Sequence, residues 1–175
     1  MTDKNLFLKD YSFYGKHCDM VNALIAKIDE DSGAAIFSIV IDIFIMGALV
    51  GVKNNHKAKP DSDKSRDKKI LAGQFNSHSH DIKTAFKFVT LLGNKEKYDE
   101  VTRLNKTFRN PETDENYQAF EEYMLGGLED IYNKFILDSN KNFSDYLTTM
   151  NQFLSDYKIT EEEENDIIPD AEDLF

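Results

Sequence analysis

Residues 34–52 read AAIFSIVIDIFIMGALVGV, an apolar run interrupted by one carboxylate, Asp42. Such a run either crosses a membrane or forms the centre of a helical core. Transfer energies do not decide between the two. About eleven Ile, Leu, Phe and Val residues at roughly −0.3 to −0.6 kcal/mol each stand against roughly +2.5 to +3.5 for a central Asp, so the sum is near neutral or slightly favourable to insertion. Three other features favour the core. The flanking segments are amphipathic and need a partner that is apolar nearly all round. The chain has no Trp, no aromatic belt and no second apolar run. Gly47 and Gly51 lie inside the run, each costing roughly 1 kcal/mol in an isolated helix. The expectation is a buried central helix over 34–52, N-capped by Ser32, with no membrane contact. The alternative is one span at 34–52, with the following Lys-rich segment as its cytoplasmic flank.

Within that helix Asp42 would be a buried charge, which must find a partner or become neutral. Gly47 and Gly51 are four apart and share one helix face. A second glycine pair, Gly126-Gly127, sits inside YQAFEEYMLGGLEDIYNKFIL. Its Phe120, Met124, Leu128, Ile131 and Phe135 recur at helical spacing. Glycines in two strong helices point to a close approach of their backbones at Gly47, Gly51, Gly126 and Gly127; a kink at 126–127 is the competing expectation.

The remaining chain repeats the helical pattern. Val21, Leu24, Ile25 and Ile28 form one stripe, and Ile82, Phe86, Val89 and Leu92 another, with a stop at Gly93-Asn94. Tyr98 to Phe108 and Phe143 to Tyr157 supply two more. ILAGQFNSHSH fits a short strand, a turn or irregular chain. With only 3 Pro and 8 Gly in 175 residues, the predicted fold is all-α: a compact multi-helix bundle around the apolar helix (1–158), followed by a disordered acidic tail (159–175).

Charge is unevenly distributed. The net charge is −11, which argues against wholesale nucleic-acid binding. Residues 53–69 nevertheless hold seven bases against Asp61, Asp63 and Asp67, and read as an exposed loop. There Lys53, Lys57, Lys59, Arg66, Lys68 and Lys69 are candidates for local phosphate or DNA contact. Residues 161–175 hold eight acids and no base, punctuated by Ile167, Ile168, Leu174 and Phe175. With Asp170 and Asp173 these are the candidate partner-binding residues. An acidic stretch ending in Phe is similar to the tail tip of bacterial single-stranded-DNA-binding proteins, although it lacks their Pro-Phe ending.

No catalytic constellation stands out. His78, His80 and Asp81 could offer metal ligands if extended, but no convergent partner is in view, and the expectation is no metal and no cofactor. Glu121-Glu122 and Glu129-Asp130 read as a solvated helix face. The single Cys18 suits a reducing compartment, and MTDKNLFLKDYSFY has no signal-peptide pattern, so a cytoplasmic protein is expected.

Two segments carry a family resemblance. FEEYMLGGLEDIYNKF (120–135) and DIFIMGALVGVKNN (42–55) resemble small proteins associated with bacterial Dnd-type DNA phosphorothioation systems, departing at Met124-Leu125 and in the acidic tail. The resemblance implies a non-enzymatic accessory or adaptor protein. It would act through protein–protein contacts in a DNA-modification or anti-phage defence locus. An acidic DNA mimic that inhibits a nucleic-acid enzyme is the alternative.

Overall fold

The computed structural model describes residues 6–29, 33–138 and 143–156. A 3-10 turn (Leu6–Leu8) leads into β1 (Tyr11–Tyr14) and α1 (Gly15–Ile25). There follow α2 (Val40–Asn54), β2 (Asp67–Ile70), α3 (Ala72–Ser77), α4 (Ser79–Leu92), α5 (Glu100–Phe108) and α6 (Asp114–Tyr132). A π-helical turn (Asn133–Leu137) and α7 (Phe143–Asp156) complete it. Among the described residues the architecture is all-α apart from one antiparallel ribbon, in which Tyr11 faces Ile70 and Tyr14 faces Asp67.

The central helix differs from its expected bounds. It starts at Val40, not Ala34, and continues to Asn54. Residues 34–37 are held by the chain leaving α1: Ile28 N–H donates to Ala34 O at 2.8 Å and Phe37 N–H to Leu24 O at 3.1 Å. Backbone groups spent there cannot enter a helical ladder, and the β-branched Ile36, Ile39 and Val40 weaken helix locally. The proposed cap Ser32 lies outside the described residues, and Ile39 takes the N-cap position without a side-chain bond. At fifteen residues α2 is about 22 Å long, short of the ~30 Å hydrocarbon thickness. Among the described residues no helix is long and apolar enough to cross a membrane.

The core lies where α2 packs along α6, closed by α4 on one side and by α1 and the ribbon on the other. Phe44 of α2 is its hub. Its ring lies 5.2 Å from Phe75, 5.4 Å from Tyr11 and Phe120, and 6.4 Å from Phe7 and Phe13. Mostly edge-on, such pairs add roughly 0.5–1.5 kcal/mol each beyond burial. The aromatic residues thus gather four elements around one helix in a chain without Trp.

The basic segment is more ordered than an exposed loop. Its acids organise the backbone: Asp61 accepts from Lys16 N–H at 2.8 Å and Asp63 N–H at 2.9 Å, and Asp63 from Ser65 N–H at 2.9 Å. The donors of Asp63 and Lys16 hold the Asp61 carboxyl below its usual range. The segment then closes as β2 against β1, after which LAGQFNS turns into α3.

Candidate functional site

The α2–α6 seam positions everything else. A methyl group at Gly47 would lie 2.7 Å from Met124 O, and one at Gly51 would fall on Tyr123 O. One at Gly127 would fall on Gly47 O, with Gly51 N at 2.5 Å. One at Gly126 would fall on His56 O. The two backbones therefore touch, which only glycine permits. Helix α6 runs through Gly126-Gly127 without a break. The chain leaving α2 also rides on α6, with Ala58 N–H donating to Glu122 O at 2.9 Å.

That course brings together groups far apart in sequence. His17 of α1 is fully buried, and its Nε2–H donates to Glu129 Oε1 at 3.0 Å. Lys16 Nζ lies 2.7 Å from the same oxygen, and His56 Nε2 is 3.8 Å from Glu129 Oε2. His56 Nδ1–H donates to Asp130 Oδ1 at 2.7 Å, and Asn54 donates to Asp130 Oδ2 at 2.8 Å. Burial pushes the Glu129 carboxyl up, but Lys16 and His17 outweigh it and hold it below its usual range. Burial likewise pushes His17 down despite Glu129 beside it, so the imidazole is neutral at pH 7. Its Nδ1 then has a lone pair with no partner among the described residues, a costly arrangement. The Glu129-Asp130 pair is thus no plain solvated face but a polar clamp joining α1, the end of α2, and α6. Glu121 departs similarly: it accepts from Tyr11 OH at 3.0 Å, and burial raises its pKa despite that bond.

Asp42 is corrected in position and burial. Because α2 begins at Val40, Asp42 occupies the first turn, where carboxylates complement the partial positive charge of a helix N-terminus. It is half-buried rather than a buried charge. It stands at the edge of an apolar groove of about 430 Å³ formed by Ile36 and Phe37, Ile45 and Met46 of α2, Phe135, and Met150, Phe153 and Leu154 of α7. Asp81, in the first turn of α4, stands at the same groove. Neither carboxylate has a hydrogen-bond or ion-pair partner among the described residues.

The other predicted residues separate. Lys53 and Lys57 line a polar cleft at the C-terminal end of α2. Arg66, Lys68 and Lys69 sit at β2 instead, where Arg66 pairs with Asp19 at 2.8 Å and Lys69 with Asp67 at 3.8 Å; Lys59 lies outside the cleft lining. His78 is the joint between α3 and α4, and its Nδ1–H donates to Gln74 O at 3.0 Å, so the extended pair with His80 does not form. Among the described residues no group of three or more His, Cys, Asp or Glu is placed to hold a metal ion. Ile167, Ile168, Asp170, Asp173, Leu174 and Phe175 lie outside the described residues.

Fold and surfaces together define a small all-α protein built on a glycine-packed helix pair, with an apolar groove near the start of α2 and a lysine-lined cleft at its end. Residues 16–170 match the family described as DNA sulphur modification system-associated protein 4, and the chain belongs to that family. No curated protein and no solved structure matches it.

Proposed function

We propose that this protein is a non-enzymatic, cytoplasmic accessory component of a DNA sulphur modification system, acting by binding another protein of that system. The observation that carries this is the groove. It combines half-buried apolar side chains with Leu154, which is 55% exposed, and with two unpaired carboxylates. A partner segment with matching chemistry is amphipathic, placing apolar side chains in the groove and Lys or Arg against Asp42 and Asp81. The acidic tail is a second contact in the same proposal, through Leu174 and Phe175.

The DNA-mimic alternative needs rows of unengaged carboxylates. On α6 the acids are engaged instead: Glu121 by Tyr11, Glu122 by Gln118 and Lys57, Glu129 by Lys16 and His17, Asp130 by His56 and Asn54. This favours the accessory role.

The test is binding of purified modification-system proteins, one at a time, to the full chain and to Leu154→Glu. One of them is expected to bind, with affinity falling about tenfold or more in the variant, the scale of an interface hot spot. Leu104→Glu, on exposed α5, is the control. Absence of binding by every component, or equal weakening by Leu104→Glu, would count against the groove. A double Leu174→Ser, Phe175→Ser variant tests the tail separately.

A further inference from the structure

A smaller pocket lies between α4 and the start of α6 and shares no lining residue with the groove or the cleft. Its floor is aromatic. Phe7 of the 3-10 turn, Phe86 of α4 and Tyr117 of α6 pack with ring centroids 5.0 to 5.7 Å apart. Lys83 and Lys87, one turn apart on α4, and Pro111 and Glu112, between α5 and α6, complete the lining. At about 220 Å³ the pocket falls below the about 300–1,000 Å³ of small-molecule sites and suits a single large side chain.

Its rim is basic. Lys83 and Lys87 are exposed, and neither has a hydrogen-bond or ion-pair partner among the described residues. The same holds for the guanidinium of Arg109, two residues before Pro111. Bases elsewhere are engaged: Lys16 by Glu129, Lys53 by Asp156 O, Lys57 by Asn94, Arg66 by Asp19, and Lys97 and Lys106 by Glu115. Acids are plentiful in a chain of net charge −11, and Glu112 stands in the lining itself, yet none of the described ones closes on Lys83, Lys87 or Arg109.

The occupant that fits is a large apolar side chain flanked by carboxylates. Residues 161–175 have that composition, with eight acids, no base, and Ile167, Ile168, Leu174 and Phe175 among them. The groove walled by α7 does not suit them, because the unpaired Asp42 and Asp81 repel further carboxylates. Reach is no obstacle. Phe175 lies nineteen residues beyond Asp156. That is roughly 60 Å of extended chain, against a radius of gyration of about 15 Å for a domain of this size.

We propose that this pocket receives the chain's own acidic tail, with Phe175 among the rings of Phe7, Phe86 and Tyr117, and with Glu172 and Asp173 against Lys83, Lys87 and Arg109. A fourth ring suits the site because aromatic pairs gain from edge-on contact beyond their buried area. The contact is intramolecular. Tethering supplies an effective concentration of about 1 mM, so a contact of only millimolar strength keeps the tail docked about half the time. Docking regulates the tail contact proposed above, since Leu174 and Phe175 cannot serve the pocket and a partner at once. It is read with no partner present, so its failure and that of the groove are separate results.

The experiment uses the full chain with Ala171→Cys carrying a nitroxide spin label. Native Cys18 is buried, which leaves the introduced thiol to react. Paramagnetic broadening of backbone amides is read by NMR. The amides of Lys83, Lys87 and Glu112 are expected to lose about half of their intensity, and those of Lys68 and Lys69 at β2 less than about a tenth. Lys83→Glu with Lys87→Glu, at two exposed positions, is expected to restore the intensity. Leu174→Ser with Phe175→Ser is expected to restore it as well. Absence of broadening at α4 overturns the proposal. So does equal broadening at Lys68 and Lys69, which would reduce it to general charge attraction, or full broadening in either double variant. Equal broadening of an unlabelled chain mixed with a spin-labelled one would place the tail on a second copy and overturn the intramolecular contact.

Discussion

Adding a single methyl at Gly127 tests the glycine seam most directly. The new Cβ would overlap Gly47 O and stand 2.5 Å from Gly51 N, both of them backbone atoms in the middle of α2. Neither can rotate away as a side chain could. Relaxed carbon–oxygen contacts sit at about 3.3–3.6 Å, so the helices must part by roughly 1.5 Å. Even a gap of about 1 Å forfeits up to half of the dispersion energy of each contact it opens. Overpacking usually costs about 1–3 kcal/mol, and a clash with fixed backbone belongs at or above the top of that range. Ala recovers roughly 1 kcal/mol of helix propensity. The net expectation for Gly127→Ala is a loss of about 2–3 kcal/mol, equivalent to a fall in Tm of roughly 5–10 °C for a chain of this size. Gly47→Ala should lose less, because its methyl meets Met124 O at 2.7 Å. Gly73→Ala, in α3 with nothing within 4 Å, should be neutral or raise Tm slightly. Thermal unfolding followed by circular dichroism at 222 nm, with urea titration as a check, measures all three. If Gly127→Ala melts at or above the parent, or Gly73→Ala falls as far, the backbone contact is not what holds α2 on α6.

Two further substitutions probe the polar clamp and the start of α6. Burial holds the His17 pKa below its usual 6.5. As pH falls through about 6.5 the unfolded chain takes up a proton that the folded chain refuses. Stability therefore declines until the lower folded pKa is passed. His17→Gln keeps an N–H donor for Glu129 but cannot titrate, so urea midpoints measured from pH 7.5 to 5.5 should fall less steeply than in the parent. An unchanged slope would remove His17 as the source. Thr113 caps α6, its hydroxyl accepting from Asn116 N–H at 3.2 Å. Thr113→Ala should cost about 1 kcal/mol, or about 2–4 °C in Tm, with Thr113→Ser recovering most of it; full stability of the Ala variant would show that the cap contributes little.

The helical stripes were legible because a period of 3.6 is local information. Phe120, Met124, Leu128 and Ile131 announce α6, and all four are buried. The all-α class followed from such patterns. What was not legible depends on tertiary backbone bonds. Nothing in AAIFSIVIDIF signals that residues 34–37 bond to the end of α1, yet that bonding moves the helix start by six residues and carries Asp42 from a buried interior to a first turn. The strand in DKKI was hidden because only Ile70 of its four residues is apolar; its pairing is supplied by Tyr11 and Phe13 across the ribbon. The lysine cleft was half visible. Lys53 and Lys57 stood out in the basic segment, whereas Lys95 and Lys97 lie some forty positions later and join them only because α4 ends beside α2. Glu129-Asp130 looked solvated because His17 and His56 are distant in sequence, and no periodicity encodes such a convergence.

The late start of α2 also has a consequence for function. Had the helix run from residue 34, Asp42 would have needed an internal partner and the apolar side chains of 36 and 37 would have been wound into the bundle. Displaced from the helix, Ile36 and Phe37 instead wall the groove beside Asp42, while the other end of the same helix carries Lys53 and the Asn55 corner into the cleft. A helix of fifteen residues holds these two ends about 22 Å apart. Perturbations separated by more than about 7–10 Å usually act additively. Opposite charge at the two ends, acidic at the groove and basic at the cleft, makes it unfavourable for one ligand to satisfy both. The seam glycines hold α2 against α6 and so fix both surfaces in one frame. Substitutions at the groove are therefore expected to leave the far end of α2 unchanged, and the reverse.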